Sequence, residues 1–371
     1  MRYSNFVILL SCLVISLTSC QHSCSDSSQR SCTESPQPVI ARGADISWIT
    51  EMEHDGWVFR TMNGDTADLI TVIKEAGANA VRLRVWVHPD QACFPDGTQA
   101  NPLGFSSKDD MLSIAKRVHQ AGLNLMVDFH YSDWWADPGQ QYAPQAWQDL
   151  SVAELCDSIT AYTIDVLSAL KAEGIAPLWV QIGNETTTGM CWPQGKIFND
   201  DWSDNEQAWM NLGQMFATAY QAVKSVFPNA QVIIHHDNAF NTEGNTWYYE
   251  RVVKYGGKFD IIGLSHYPTT QPDYEWWQMN EMATWTIQQL HAIHDCPIML
   301  VEIGTQADNF EQSYRILQDM RSRTDSLDYM YGTFFWEPES YYRDGGYYHG
   351  YNKSAFNPDG TASAALIRLW K

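Results

Sequence analysis

PLWVQIGNE (residues 177–185) and PIMLVEIG (residues 297–304) are the two stretches on which the fold turns. Each is a short apolar run, opened by proline, that ends on or beside a carboxylate: Glu185 in the first and Glu302 in the second. Apolar runs of this length, bounded by Pro and Gly, suit strands buried on both faces of a parallel sheet. Packing gives no reason for a glutamate at the end of such a strand, since burying it unpaired is costly or forces it neutral. Two of them in one chain read as a pair with a chemical purpose.

Working outward, six further runs have the same character: 39–47, 80–87, 123–131, 231–238, 259–268 and 330–338. Between them lie stretches with helical spacing of apolar residues, at 67–76, 108–120, 153–172, 206–226, 247–255, 284–293 and 310–321, with 362–370 closing the chain. Ser151 and Asp204 stand where helix N-caps belong, and Gly122 and Gly174 where helices stop. Eight strands each followed by a helix is the count of a single (β/α)8 TIM barrel, an α/β fold with its long βα loops at the C-terminal face. The connection over residues 50–65 is long enough to be one of them.

In a barrel, the chemistry sits where the strands end. Those ends supply Asp45, Arg84, Trp86, His130, Asn184, Glu185, His235, Asp237, His266, Tyr267, Glu302 and Trp336. Alternation along a strand puts Arg82, Arg84 and Trp86 on one face of theirs, and likewise Asp128 with His130 on one face of theirs. Two carboxylates at one mouth are the minimum for breaking a glycosidic bond: one protonates the leaving oxygen, the other attacks or activates water. Their mutual charge drives their pKa values apart and so assigns the roles. Asn184 is placed to hydrogen-bond a sugar hydroxyl, and Arg84 to keep Glu302 ionised. A structural ion pair or a metal ligand would also account for one such glutamate, but less readily for both.

Composition narrows the substrate. The 16 Trp, 18 Tyr and 14 Phe exceed what a core needs, and flat aromatic faces suit the apolar faces of sugar rings. A net charge of −21 speaks against nucleic acid and against polyanionic substrates, so a neutral substrate is the easier match. No cofactor is required for such chemistry. His235-His236 resembles a metal pair, yet the first strand offers no ligand set to join it. The segment NDDWSDNE (199–206) has the oxygen donors for a structural calcium ion but not EF-hand spacing, and reads as a solvated acidic loop. For Trp192, Trp202, Trp276 and Trp277, packing and sugar stacking weigh equally.

Residues 1–19 have the basic start and apolar middle of an export signal, and LTSC (17–20) resembles a bacterial lipobox that leaves Cys20 lipidated. The Ser-rich stretch 20–38 then reads as a tether, and 39–371 as one catalytic domain. The expected location is the outer membrane, at the cell surface, with the membrane reached through the lipid anchor alone. Four cysteines remain in the folded part, Cys93, Cys156, Cys191 and Cys296, and the sequence does not choose among their pairings. Nothing in it demands more than a monomer.

GADIS (43–47), VRLRVW (81–86), the DFHYSDWWADPGQQYAP segment with Trp147 (128–147), QIGNE (181–185), SHYP (265–268), VEIG (301–304) and FFWEP (334–338) together resemble glycoside hydrolase family 53, the endo-β-1,4-galactanases. The resemblance spans nearly everything from Gly43 onward. It implies a retaining endo-hydrolase of β-1,4-galactan, the side chain of type I arabinogalactan, with Glu185 as acid/base and Glu302 as nucleophile. It further implies sugar-contacting or supporting roles for Asp45, Arg84, His130, Asp133, Trp135, Asn184 and Tyr267, with Trp336 flooring the sugar next to the cleaved bond; Trp86 and His266 join the expected substrate-binding residues as strand-end side chains. Trp134 and His266 depart from the family pattern, which has a small polar residue and a tyrosine there. The clan signature by itself does not read the sugar, so mannan, xylan and cellulose are the rival substrates. A non-catalytic glycan-binding lipoprotein is the rival of another class.

Overall fold

Eight parallel strands close into one barrel in sequence order: β1 (Ala41–Asp45), β2 (Ala80–Val85), β3 (Asn124–Phe129), β4 (Trp179–Ile182), β5 (Gln231–His236), β6 (Ile261–His266), β7 (Ile298–Ile303) and β8 (Met330–Trp336), with β8 pairing back onto β1. The computed structural model describes residues 38–94 and 96–370. The expected export signal, Cys20 and all of the tether but Pro38 lie outside the described residues. The eight-stranded barrel expected from the apolar runs is the fold observed.

Nine helices are described: α1 (Ile49–His54), α2 (Leu69–Ala76), α3 (Lys108–Gln120), α4 (Val152–Ala172), α5 (Glu206–Val226), α6 (Thr242–Lys254), α7 (Trp276–His294), α8 (Phe310–Thr324) and α9 (Ala364–Trp370). Ser151 caps α4 in a full capping box with Glu154, as its position suggested. The cap of α5 is Asn205, one residue after the expected Asp204; Asn205 accepts from Ala208 N–H, while Asp204 pairs with Arg251 at 2.7 Å. α6 and α7 begin earlier than periodicity indicates. Asn241 accepts from Gly244 N–H at the start of α6, and Glu275 forms a capping box with Gln278 at the start of α7. Capping fixes both starts upstream of the first regular stripe: α6 gains the polar turn Thr242–Asn245, whereas α7 opens on Trp276 and Trp277. The long connection after β1 carries the short helix α1.

Two apolar layers hold the barrel. The larger one lies between the strands and the surrounding helices. The smaller fills the barrel's lower interior with Met126, Trp179, Ile233, Met299, Val301 and Phe334 among others. Gly43 belongs to that floor because the Phe334 ring occupies the space a Cβ would take. The four cysteines of the barrel are unpaired. Among the described residues no helix is long and apolar enough to cross a membrane.

Candidate active site

Above that floor the interior becomes polar, and a cleft of about 460 Å³ opens at the C-terminal ends of the strands. At its base is one guanidinium. Arg82, on β2, places Nη1 2.6 Å from Asp45 Oδ2 and 3.0 Å from Glu302 Oε1, and Nη2 2.9 Å from both Asp128 Oδ2 and Asn184 Oδ1. Burial alone would pull Arg82 down; the charges of Asp128, Glu302 and Asp45 outweigh it and hold the residue firmly cationic. This corrects the role expected of Arg84. Arg84 lies one layer higher on the same face, where it pairs with Glu337, and its guanidinium lies over Trp135 at 4.4 Å and Trp86 at 5.2 Å. Arg82 is the partner of Glu302.

Glu302 reaches the cleft through an irregularity in β7. Leu264 of β6 pairs with Leu300, but the next residue, Ser265, pairs with Glu302, leaving Val301 as an extra residue. Met299 and Val301 join the floor while Glu302 is turned into the cleft. Bulges beside active sites re-aim side chains in this way. Tyr267 completes the carboxylate's surroundings by donating its hydroxyl to Oε2 at 2.9 Å. Burial raises the Glu302 pKa to about 7, against the opposing pull of Arg82.

Glu185 follows β4 in a left-handed backbone conformation, φ 39° and ψ 55°, uncommon for a residue with a side chain. The turn is fixed from several sides. Gln141 Nε2 donates to the carbonyls of Asn184 (2.7 Å) and Glu185 (3.1 Å), Asn184 Nδ2 donates to Ala136 O (2.8 Å), and Glu185 N–H donates to His235 Nδ1 (3.3 Å). His235 Nε2 in turn donates to Ser265 Oγ (2.8 Å), and Ser265 donates to Glu185 Oε1 (2.6 Å). His235 is therefore neutral, its pKa pushed well down by burial and then by the charge of Arg82. Burial, followed by the charge of Glu302, drives the Glu185 pKa well above the carboxylate range. One carboxyl is thus biased to keep its proton, and the other, beside Arg82 and Tyr267, is the easier to ionise.

Of the residues expected at the site, Asp45, Arg84, His130, Trp135, Asn184, Glu185, Tyr267, Glu302 and Trp336 line this one cleft. Trp135 and Trp336 face each other edge-on at 6.0 Å, with Trp48 and Tyr351 against Trp336 at 5.3 and 4.6 Å. Three expected residues lie elsewhere. Trp86 is buried behind the wall, packed on Trp134 and Trp135. Asp133 ties the β3 loop by accepting from His88 N–H (2.9 Å) and Gln145 N–H (2.8 Å). His266 points outward from the barrel to Asn280 of α7, with Nε2 2.8 Å from Oδ1, because Ser265 and Tyr267 take the inward face. Arg82, Trp48 and Asp137 are not among the expected site residues, while His349 and Tyr351 belong to the last long connection, 341–360, whose Tyr- and Gly-rich sequence reads either as a wall of the distal subsites or as a surface loop. Alternation already put Arg82 on the right face; the others come from loops, and only the closed barrel brings them together.

In the acidic loop, Asp204 is engaged by Arg251, and Asp201 accepts from Ser203 Oγ (2.5 Å). Among the described residues no cluster of three or more His, Cys, Asp or Glu side chains could hold a metal ion, His235 and His236 included.

The model of glycosyl hydrolase family 53 matches residues 41–368. The chain belongs to that family. Among curated relatives it is 38% identical over 235 residues to an uncharacterized protein in the bgaB 5' region of Niallia circulans, covering 63% of this chain and 59% of that one. It is 32% identical over 241 residues to a probable arabinogalactan endo-β-1,4-galactanase A of Aspergillus fumigatus, covering 63% and 62%. The family 53 chain thus spans about six-tenths of the length of these relatives. A solved structure reported for two fungal β-1,4-galactanases superposes with a TM-score of 0.74 at 24% identity, covering 88% of this chain and 98% of that one. The family 53 catalytic domain of Ignisphaera aggregans superposes at 0.72 and 24% identity, covering 90% and 94%. Both share the barrel.

Proposed function

We propose that the chain is a retaining endo-β-1,4-galactanase acting on galactan and type I arabinogalactan. The observation that carries this is the division of labour between two glutamates in one cleft: Glu302 held by Arg82 and Tyr267, and Glu185 kept protonated by burial and the neighbouring charge. Glu302 attacks the anomeric carbon, and Glu185 gives its proton to the departing sugar oxygen. The glycosyl ester on Glu302 is then hydrolysed by a water that Glu185 deprotonates, and both carboxyls return to their starting state. Trp336 floors the sugar being cleaved, and Asn184, oriented by Arg82 and Ala136, meets its hydroxyls. Family membership and relatives named as arabinogalactan endo-β-1,4-galactanases support the choice of sugar.

Glu185→Gln should lower turnover on galactan by about 10²–10⁴-fold, and Glu302→Ala should abolish it. Azide added to Glu302→Ala should yield the α-glycosyl azide, as expected of a missing nucleophile. Wild-type turnover in either variant would overturn the assignment, and faster initial rates on mannan, xylan or cellulose would overturn the sugar. The same proposal places the enzyme at the cell surface as a monomer, carried by a lipid on Cys20; the lipobox-like LTSC supports the anchor. Loss of membrane association in Cys20→Ala cells tests it.

A further inference from the structure

A second cavity, of about 330 Å³, adjoins the cleft on the side of Glu185. Two of its wall residues, Pro138 and Gly139, directly follow Asp137 of the cleft wall, and a third, Thr188, lies three residues after Glu185. Thr188 Oγ1 donates to Pro138 O at 2.9 Å and ties the two loops together.

The far side of this groove is aromatic. Trp202 is 73% exposed, an unusual state for so large an apolar ring. It rests against Phe198 at 5.8 Å, which is itself stacked on Trp247 at 5.6 Å and 7°, so the platform is braced from behind. Trp192, whose Nε1 donates to Thr188 O at 3.1 Å, forms the inner part, and exposed Tyr142 meets it edge-on at 5.4 Å. The charges at the groove cancel: Lys196 pairs with Asp200 at 3.1 Å. Aromatic faces beside a charge-balanced, hydrogen-bonding wall suit an uncharged sugar chain better than an ionic partner.

We propose that this groove binds the departing, reducing-end portion of a β-1,4-linked hexose polymer, with Trp202 as a stacking platform remote from the cleaved bond. The inference rests on Glu185 being the acid. The acid protonates the oxygen of the departing chain, so that chain lies on the Glu185 side of the scissile bond, where the groove opens.

The test compares wild type, Trp202→Ala and Trp202→Phe on polymeric galactan and on a nitrophenyl β-1,4-galactobioside, whose aglycone is too short to reach Trp202. Trp202→Ala should lose about tenfold in kcat/KM on the polymer, the order expected for one aromatic stack, with unchanged kinetics on the short substrate. Trp202→Phe should recover most of the loss. On galactohexaose labelled at the reducing end, Trp202→Ala should shift the cut toward the label, because fewer sugars are held beyond the cleaved bond. Equal polymer kinetics in wild type and Trp202→Ala would overturn the proposal, as would a parallel loss on the short substrate or a shift of the cut away from the label. If wild type prefers another β-1,4-glycan, the comparison is made on that polymer and only the sugar assignment falls. If it cuts none, the groove proposal falls with the function.

Discussion

Arg82 Nη1 lies 3.0 Å from Glu302 Oε1, while Arg84, two residues further along the same strand and on the same face, is committed to Glu337. One cation thus serves three buried carboxylates, Asp45, Asp128 and Glu302, and the second serves the aromatic wall. The two arginines are expected to behave differently.

Arg82→Lys should cost about 10²-fold in kcat, because an ammonium cannot reproduce the forked contacts at the base of the cleft. Arg82→Met should also destabilise the fold by about 3–5 kcal/mol, leaving buried carboxylates without their partner. Arg84→Lys should have the smaller effect on kcat. Kinetics and thermal unfolding of the three variants check this, and a greater kcat loss in Arg84→Lys would reverse the assignment.

The pH dependence of kcat/KM should be bell-shaped, with an acidic limb near the Glu302 value of about 7 and a basic limb set by Glu185. Tyr267 lowers the Glu302 pKa by donating to its ionised form. Tyr267→Phe should therefore move the acidic limb to higher pH. A shift to lower pH, or none, would contradict the contact.

Ser265 offers the complementary handle. Its hydroxyl donates to Glu185 Oε1 at 2.6 Å and lowers that pKa against burial. Ser265→Ala should move the basic limb upward and, with Glu185 as the proposed acid, reduce kcat several-fold, since a weaker acid protonates the leaving oxygen less readily. The acidic limb should stay in place.

Glu339 should make the fold less stable as pH rises. Burial, then the charge of Glu337, lifts its pKa well above the ordinary value. An unfolded chain ionises this group near pH 4.3, whereas the folded one keeps the proton to higher pH. Above the unfolded value the folded state therefore binds more protons, and its stability falls until the folded pKa is passed. Glu339→Gln removes this term. It should match wild type in thermal unfolding near pH 4 and exceed it by on the order of 1–3 kcal/mol near pH 8. An equal change at both pH values would exclude the titration as its cause.

The barrel was legible because each strand is an apolar run of the right length and each intervening stretch carries a helical stripe. The two glutamates were legible because a carboxylate at such a place has no packing explanation. Arg82 and Arg84 could not be separated in the sequence: alternation puts both on one face, and which one meets Glu302 depends on how high β7 stands against β2. That height includes the extra residue Val301, which has no sequence mark. His266 is a different matter, since alternation with Ser265 and Tyr267 does turn it outward. Trp48, His349 and Tyr351 come from the two ends of the barrel sequence and meet only because β8 pairs with β1.

The plug of Trp179, Met299 and Phe334 under Arg82 makes the barrel a vessel sealed from below. On the proposed mechanism, the protons and waters exchanged by Glu185 and Glu302 would travel through the upper opening, the same doorway the sugar would use. A chain seated there stands between the carboxyls and bulk solvent, so the ionisation pattern with which it is received tends to persist through the first bond-breaking step. On the proposed two-step mechanism, the water for the second step would enter where the departing fragment had just left, and the order of events would follow from the shape of the container.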